Sequence, residues 1–219
     1  MRLISLNVGL PRLITWKGDT FKTGIFKNPV NGRVMLRKTN LDGDRQADLS
    51  VHGGPNKAVY GYASEHYDYW RAELPRQDLP WGAFGENFTT EGLLETRLSM
   101  GDRYRLGSAV IRVTTPRLPC FKLAAKFRSD KIIGQFLRSG HSGFYFAVDE
   151  EGEVGAGDEF VFLDGETPSL TITEFNHLYI SPAPDIALLE RAIAVRTLPE
   201  SWREHYQGRL ENARQKQRI

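Results

Sequence analysis

The hydrophobic period of this chain changes once, near Asp164, and that change limits the architectures open to it. From Met1 to about Asp164 the apolar residues come in short β-branched or aromatic runs broken by glycine and charged turns, which is the pattern of strands. After the segment GETPSL the apolar residues recur at helical spacing. The chain is therefore expected to be α+β and β-rich, with one domain over residues 1–165, a linker near 165–170, and a small three-helix bundle over residues 166–219. Strands are expected over Leu3 to Val8, Phe21 to Phe26, Val34 to Thr39 and Lys57 to Tyr62. A helix from Ser64 to Leu74 follows, stopped by Pro75. Asp102 to Leu106 and Ala109 to Thr115 should form a hairpin about Gly107 and Ser108. Two short helices, Cys120 to Phe127 and Lys131 to Leu137, precede a closing hairpin of Phe144 to Val148 with Glu159 to Leu163. In the last part, Thr173 to Leu178, Asp185 to Ile193 and Glu200 to Gln215 can each be helical. A bundle of roughly 50 residues is too small to be comfortably stable alone, so its apolar faces should dock on the larger domain.

Composition narrows the function. A formal charge of +2 over 219 residues gives no general polyanion field, so direct nucleic-acid binding is not expected. No run approaches the roughly 20 apolar residues of a membrane helix, and the start MRLISLNVGLPRLITW lacks a signal-peptide apolar core, so a cytoplasmic protein is expected. The single cysteine, Cys120, cannot close an internal disulfide, make a four-cysteine zinc site or hold an iron-sulfur cluster within the chain. It is either small buried filler or chemistry.

Three segments carry candidate chemistry. In LDGDRQADLSVHGGPNKAVYGY, Asp42, Asp44, Asp48, His52 and Lys57 crowd around Gly43, Gly53 and Gly54. Paired glycines let backbone N–H groups converge, so His52 to Asn56 with Lys57 can hold a phosphate-like anion, or form a tight polar turn. In TTPRLPCFKL, Pro119 precedes Cys120 and LAAKF favours a helix. A cysteine opening a helix near Arg117 and Lys122 sits in positive potential that favours the thiolate; the alternative is a buried cysteine acting as a small apolar residue. In WGAFGENFTTEGL, Glu86 and Asn87 can recognise a heterocycle or support a loop. The glycines of GEVGAGD precede a strand instead of opening a helix, which fails the dinucleotide-binding context. Gly140, His141, Ser142 and Gly143 do not form a nucleophile elbow, and clustered zinc ligands are lacking.

Taken in order, GDRQADLSVHGGPNKAVYGY, GENFTTEGL, PRLPC and a terminal GDEF strand resemble the MOSC domain, and LPESWREHYQGRL resembles the three-helix segment appended to MOSC domains of the YiiM type. The resemblance covers nearly the whole chain. It implies a distorted β-barrel and binding of the molybdenum cofactor, a pterin bearing a phosphate and a dithiolene-held metal. By the same resemblance Cys120 is the molybdenum ligand, or a persulfide carrier in sulfur-transferring relatives. His52, Gly53, Gly54, Lys57 and Arg117 are assigned to the anionic cofactor. Asp44, Glu86 and Asn87 match family segments where pterin hydrogen bonding or loop support both fit, with support weighted higher for Asp44.

YiiM-like proteins are similar to reductases of N-hydroxylated compounds, including hydroxylaminopurine bases, so the implied reaction is R–NHOH to R–NH2. His52 and Asp48 are the candidate proton donors. No internal electron carrier is evident, which implies an external flavin-containing reductase as partner, for which the polar faces carrying Arg203, Arg209 and Arg214 offer a docking surface or merely a solvated face. The alternatives are a sulfur carrier acting through a Cys120 persulfide and a non-catalytic molybdopterin carrier.

Overall fold

The computed structural model describes residues 1–47, 53–183 and 185–216. Five strands open the chain: β1 (Arg2–Val8), β2 (Arg12–Trp16), β3 (Asp19–Thr23), β4 (Asn28–Pro29) and β5 (Arg33–Leu36). β6 (Val59–Ala63), α1 (His66–Glu73) and β7 (Phe88–Glu91) follow, then β8 (Arg103–Leu106) and β9 (Ala109–Pro116). α2 (Phe121–Phe127), α3 (Lys131–Ser139), β10 (Phe144–Glu150), β11 (Gly152–Gly155) and β12 (Phe160–Asp164) complete the β-rich part, and α4 (Ile172–Ile180), α5 (Ile186–Ala194) and α6 (Glu200–Lys216) form the tail.

Eight strands make one sheet in the order β12-β8-β9-β10-β6-β7-β1-β4, antiparallel except for the parallel β6 and β7 pair. The sheet curls until β1 meets the start of β12 through a single bridge, Arg2 to Glu159, with Leu3 N donating to Asp158 O at 2.9 Å and Phe160 N to Met1 O at 3.0 Å. No continuous ladder closes it, so the expected distorted barrel is an open, strongly curved sheet.

The expected closing hairpin is not formed. β10 pairs with β9 and β6, while β12 pairs with β8. The glycine-rich connection between them is itself a strand, β11, which pairs with β5. Local alternation marks a strand but carries no information about a partner more than a hundred residues away. The β8 and β9 hairpin turns at Gly107 and Ser108 as expected, with Leu106 opposite Ala109.

Two apolar clusters organise the interior. The first fills the curve of the sheet with Leu3, Leu6, Phe88, Ile111, Phe144 and Phe146 and runs on into Phe175, Leu178, Leu189 and Tyr206 of the tail. The tail thus shares the core of the sheet, and each fully buried side chain of this size contributes about 1.5–3 kcal/mol. Its helices begin with strong local signals: Thr171 and Glu174 form a reciprocal capping box on α4, and the Asp185 carboxylate caps α5. Ile172 N donates to Leu98 O and Met100 N to Leu170 O, both at 2.9 Å, which stitches α4 to the loop before β8. The second cluster is aromatic, with Tyr60, Tyr62, Tyr67, Trp70, Phe84 and Phe136 packed between β6, α1, α2 and α3. It fixes α2, and with it Cys120, against the outer face of the sheet. Among the described residues no helix is long and apolar enough to cross a membrane.

Candidate functional site

A cleft of about 100 Å³ opens where the ends of β3 and β9, the start of α2 and the Gly53 loop converge. Its walls carry Lys27, Arg45, Lys57, Arg117 and Lys122, and no carboxylate is among its described lining residues. Lys27 is held by Asp44, and the other four cations face one space with no carboxylate among the described lining residues, an arrangement that suits an anion.

The chain delivers Arg117 and Cys120 by a short, stiff route. β9 ends at Pro116; Arg117 N donates to Gly143 O at 3.4 Å, and Pro119 leads into α2. Cys120 is the N-cap of α2, extended at φ −128° and ψ 172°, and its side chain makes no capping bond. The thiol is half-buried and lines the cleft. Arg117 is buried, with its guanidinium carbon 5.1 Å from the Tyr60 ring centre and 5.2 Å from that of Phe136. Among the described residues it has no carboxylate partner, and its buried Nη1 atom has no hydrogen-bond partner. An orphaned buried donor of this kind is expensive unless a ligand meets it.

Tyr60 and Tyr145 form the aromatic wall, with ring centres 5.5 Å apart and Lys57 Nζ 6.0 Å from the Tyr145 ring. Burial pushes both phenol pKa values up, against the opposing pull of Arg117, and keeps them neutral. Gly53 lines the mouth at φ +83°, where an added Cβ would lie 3.0 Å from Gln46 Cδ. Gly85, at φ +85°, would meet Ile25 Cγ1 at 2.7 Å. Both positions demand glycine.

Beneath the cleft lies a polar layer that turns away from it. Asp44 is fully buried, accepts the Lys27 ammonium, and takes Gly9 N at 2.8 Å and Asn87 Nδ2 at 3.0 Å. Burial lowers the Lys27 pKa, resisted by Asp44 and then Glu86. Glu86 accepts Tyr67 Oη, Gly82 N at 2.7 Å, Phe84 N at 3.0 Å and Thr89 Oγ1 at 3.0 Å. Burial raises its pKa, with the Tyr67 hydrogen bond as the largest opposing effect. Lys126 ties the floor together by donating to Ile25 O at 3.1 Å and Gly82 O at 2.9 Å, and burial brings its pKa down to about 8.

A second layer lies behind Arg117. Gly143 N donates to Glu95 Oε1 at 2.7 Å, Tyr60 Oη donates to Ser142 O at 2.9 Å, and Asn176 of α4 donates to Ser142 Oγ at 2.8 Å. Glu95 Oε2 pairs with His66 Nε2 at 2.7 Å, and the His66 and His141 rings stack at 3.9 Å. The loop around Ser142 therefore links the tail, the histidine pair and the Arg117 wall.

Of the residues singled out from sequence, Cys120, Arg117, Lys57, Gly53 and Asn87 line the cleft together. Gly54 stands just behind as the N-cap of the short 3-10 turn Pro55–Lys57. Asp44 and Glu86 turn into the protein, where they accept three and four internal hydrogen bonds. Asn87 lines the cleft, but its amide is engaged with Asn7 O, Asp44 and Tyr60 N. Asp48 and His52 lie outside the described residues. Sequence reasoning missed Lys27, Arg45, Tyr60 and Tyr145 as wall residues. The tyrosines carried a weak signal as polar-tipped rings within strand runs, whereas Lys27 and Arg45 carried none.

Comparison with known proteins agrees with this architecture. Residues 48–161 match the MOSC domain family, and residues 170–213 match the YiiM-like, 3-alpha helix domain. The Bacillus subtilis protein YflK is 40% identical over 204 residues, covering 93% of this chain and 92% of that protein. A Gibberella moniliformis protein named as a reductase is 35% identical over 158 residues, covering 71% of this chain but 28% of its own length. The crystal structure of YiiM from Geobacillus stearothermophilus superposes with a TM-score of 0.79 at 33% identity, covering 95% of this chain and 98% of that one.

Proposed function

The chain belongs to the MOSC family and carries the helical appendage of its YiiM-like members, and from that premise we propose that it holds the molybdenum cofactor at Cys120 and reduces N-hydroxylated compounds to amines. The observation that carries the reading is the buried Arg117 Nη1 atom, without a hydrogen-bond partner among the described residues, in a cleft that also carries Arg45, Lys57 and Lys122, the half-buried Cys120 and Gly53. A phosphate-bearing pterin with a soft metal matches that donor set: guanidinium and ammonium groups for the anion, a thiolate for the metal. The relative named as a reductase supports redox chemistry.

In this reading Arg117, Lys57 and Lys122 hold the anionic group, the Gly53 backbone lets it approach closely, and Cys120 ligates the metal. When bound, the group supplies a metal able to change oxidation state by two. The protein's own contribution is to fix the organic framework, exclude competing ligands and deliver protons. The overall reaction, R–NHOH + 2 e⁻ + 2 H⁺ → R–NH2 + H2O, consumes two of each. His52 and Asp48 are proposed to supply the protons. An external flavin-containing reductase is proposed to supply the electrons. Of the tail arginines, Arg203 and Arg209 donate to carbonyls at the ends of α5 and α4, and Arg214, about half exposed, pairs with Glu190.

The test is turnover. Wild type and Cys120→Ala, produced in a host that makes the cofactor, are assayed for hydroxylaminopurine reduction with reduced viologen. Wild-type turnover that falls to background in Cys120→Ala is the expected result. Unchanged turnover removes the ligand assignment, and cyanide-labile sulfur on Cys120 without turnover favours the persulfide-carrier alternative.

A further inference from the structure

Lys27 lines a second concavity as well as the cleft, so the two share a wall. This second pocket, of about 370 Å³, is bounded by Arg12, Phe26, Pro80, Gly82 and Lys126. Gln77 and Phe127 belong both to it and to a further pocket of about 300 Å³, bounded by Leu74, Arg76, Arg128 and Ile132. The two pockets therefore run together as one groove between the loop that follows α1 and the C-terminal end of α2.

The charge of this groove is one-sided. Arg12, Arg76 and Arg128 have no ion-pair partner among the described residues. The Arg12 guanidinium carbon lies 3.5 Å from the Phe26 ring centre, which holds that charge at one end. Lys126 donates to the carbonyls of Ile25 and Gly82 and pairs with no carboxylate among the described residues. Lys27 is spent on Asp44, and Asp78 is the one carboxylate in the described lining. Three arginines and a lysine against a single carboxylate leave the groove positive.

Between these charges the lining is apolar. Leu10, 65% exposed, stands at one end, and Leu74 and Pro75 stand at the other. Asn28 and Gln77 add side-chain amides able to bond a peptide backbone. Separated cations with apolar steps between them match an extended chain in which acidic and apolar side chains are interspersed. A nucleic acid fits less well. The two rings of the lining present no open face to a base, because Phe127 is 6% exposed and Phe26 carries Arg12 and Lys126 over it. The formal charge of +2 over the whole chain also gives no far-reaching pull on a polyanion.

We propose that this groove is a docking site for an extended acidic segment of a partner protein, with Arg12 and Arg76 engaging carboxylates toward its two ends and leucine-like side chains seated between them. The site is distinct from the anion cleft and does not depend on the redox reading of it.

The probe is a fluorescently labelled peptide of about ten residues, glutamate throughout except for leucine at every third position, which is long enough when extended to reach both pockets. Fluorescence anisotropy against the full chain in dilute salt should give saturable binding with a Kd of about 1–100 μM. Arg12→Glu and Arg76→Glu, both at exposed positions, should each weaken it by at least about fivefold, whereas Arg45→Glu in the cleft should change it by less than about twofold. The same peptide with glutamine in place of glutamate should not bind. Thermal midpoints matching wild type confirm that all three variants fold. Absence of saturable binding up to about 1 mM overturns the proposal. Loss through Arg45→Glu moves the peptide to the cleft and overturns it too, and so does loss at only one of the two groove positions. A single-stranded oligonucleotide of equal charge that binds more tightly through the same two arginines overturns the assignment to a protein segment.

Discussion

Lys27 and Asp44 form a buried ion pair beneath the cleft, with side-chain exposures of 6% and 0%, and the same carboxylate also anchors Asn87 and the Gly9 backbone. Breaking one side of such a pair leaves an uncompensated charge inside the protein. Asp44→Ala is therefore expected to destabilise by about 3–5 kcal/mol in urea unfolding. A loss below about 1 kcal/mol would mean that Lys27 finds another acceptor and that Asp44 is not the support we assign.

Arg117 should behave in the opposite way. Its charge is buried without a carboxylate partner among the described residues, so the fold gains little from it. Arg117→Met is expected to leave the thermal midpoint of the cofactor-free protein unchanged or raised, while the affinity for the anionic cofactor falls by at least about tenfold. Calorimetry on cofactor-free protein and molybdenum analysis on loaded protein separate the two effects. A fall in both, or in neither, contradicts the account.

Glu86 sets a third contrast. Four donors converge on its carboxylate, two of them backbone N–H groups that shape the Gly82 to Gly85 turn. Glu86→Gln presents an amide N–H₂ where an acceptor is required. A loss of about 1–3 kcal/mol in chemical denaturation is expected, with molybdenum per folded molecule preserved. Loss of metal at unchanged stability would instead make Glu86 a cofactor contact.

His141 gives the pH dependence a definite sign. Its Nδ1 is buried without a partner among the described residues, and its pKa is depressed to about 4, first by burial and then by the neighbouring His66. A histidine whose folded pKa lies below its unfolded value of about 6.5 binds fewer protons when folded. Stability should be complete above about pH 6.5 and decline as pH falls toward about 4. His141→Phe keeps a ring to stack on His66 and should flatten that part of a plot of thermal midpoint against pH. An unchanged slope would assign the acid loss to other groups.

How much of this was readable in advance depends on distance along the chain. Pro119 before Cys120, with a helix-favouring run after it, announced the start of α2 within one residue, because capping is a local property. Arg117, Cys120, Gly53 and Lys57 were likewise visible inside two compact segments. Lys27, by contrast, reaches the cleft only because the chain following β3 passes over α2, and nothing near Lys27 encodes that approach. The same blindness produced the false pairing of β10 with β12: both were recognisable as strands, but their partners were chosen by the curl of the whole sheet. Glu86 shows the remaining limit, since its residue type suggests recognition while its four internal donors occupy it.

The measurement that bears most directly on the account is anomalous X-ray scattering at the molybdenum absorption edge, from crystals of protein loaded in a cofactor-producing host. The account predicts one molybdenum peak per chain within bonding distance of Cys120 Sγ, with continuous ligand density running to the Arg117 guanidinium. Molybdenum seated elsewhere, or a bound pterin that leaves Cys120 and Arg117 untouched, would contradict it.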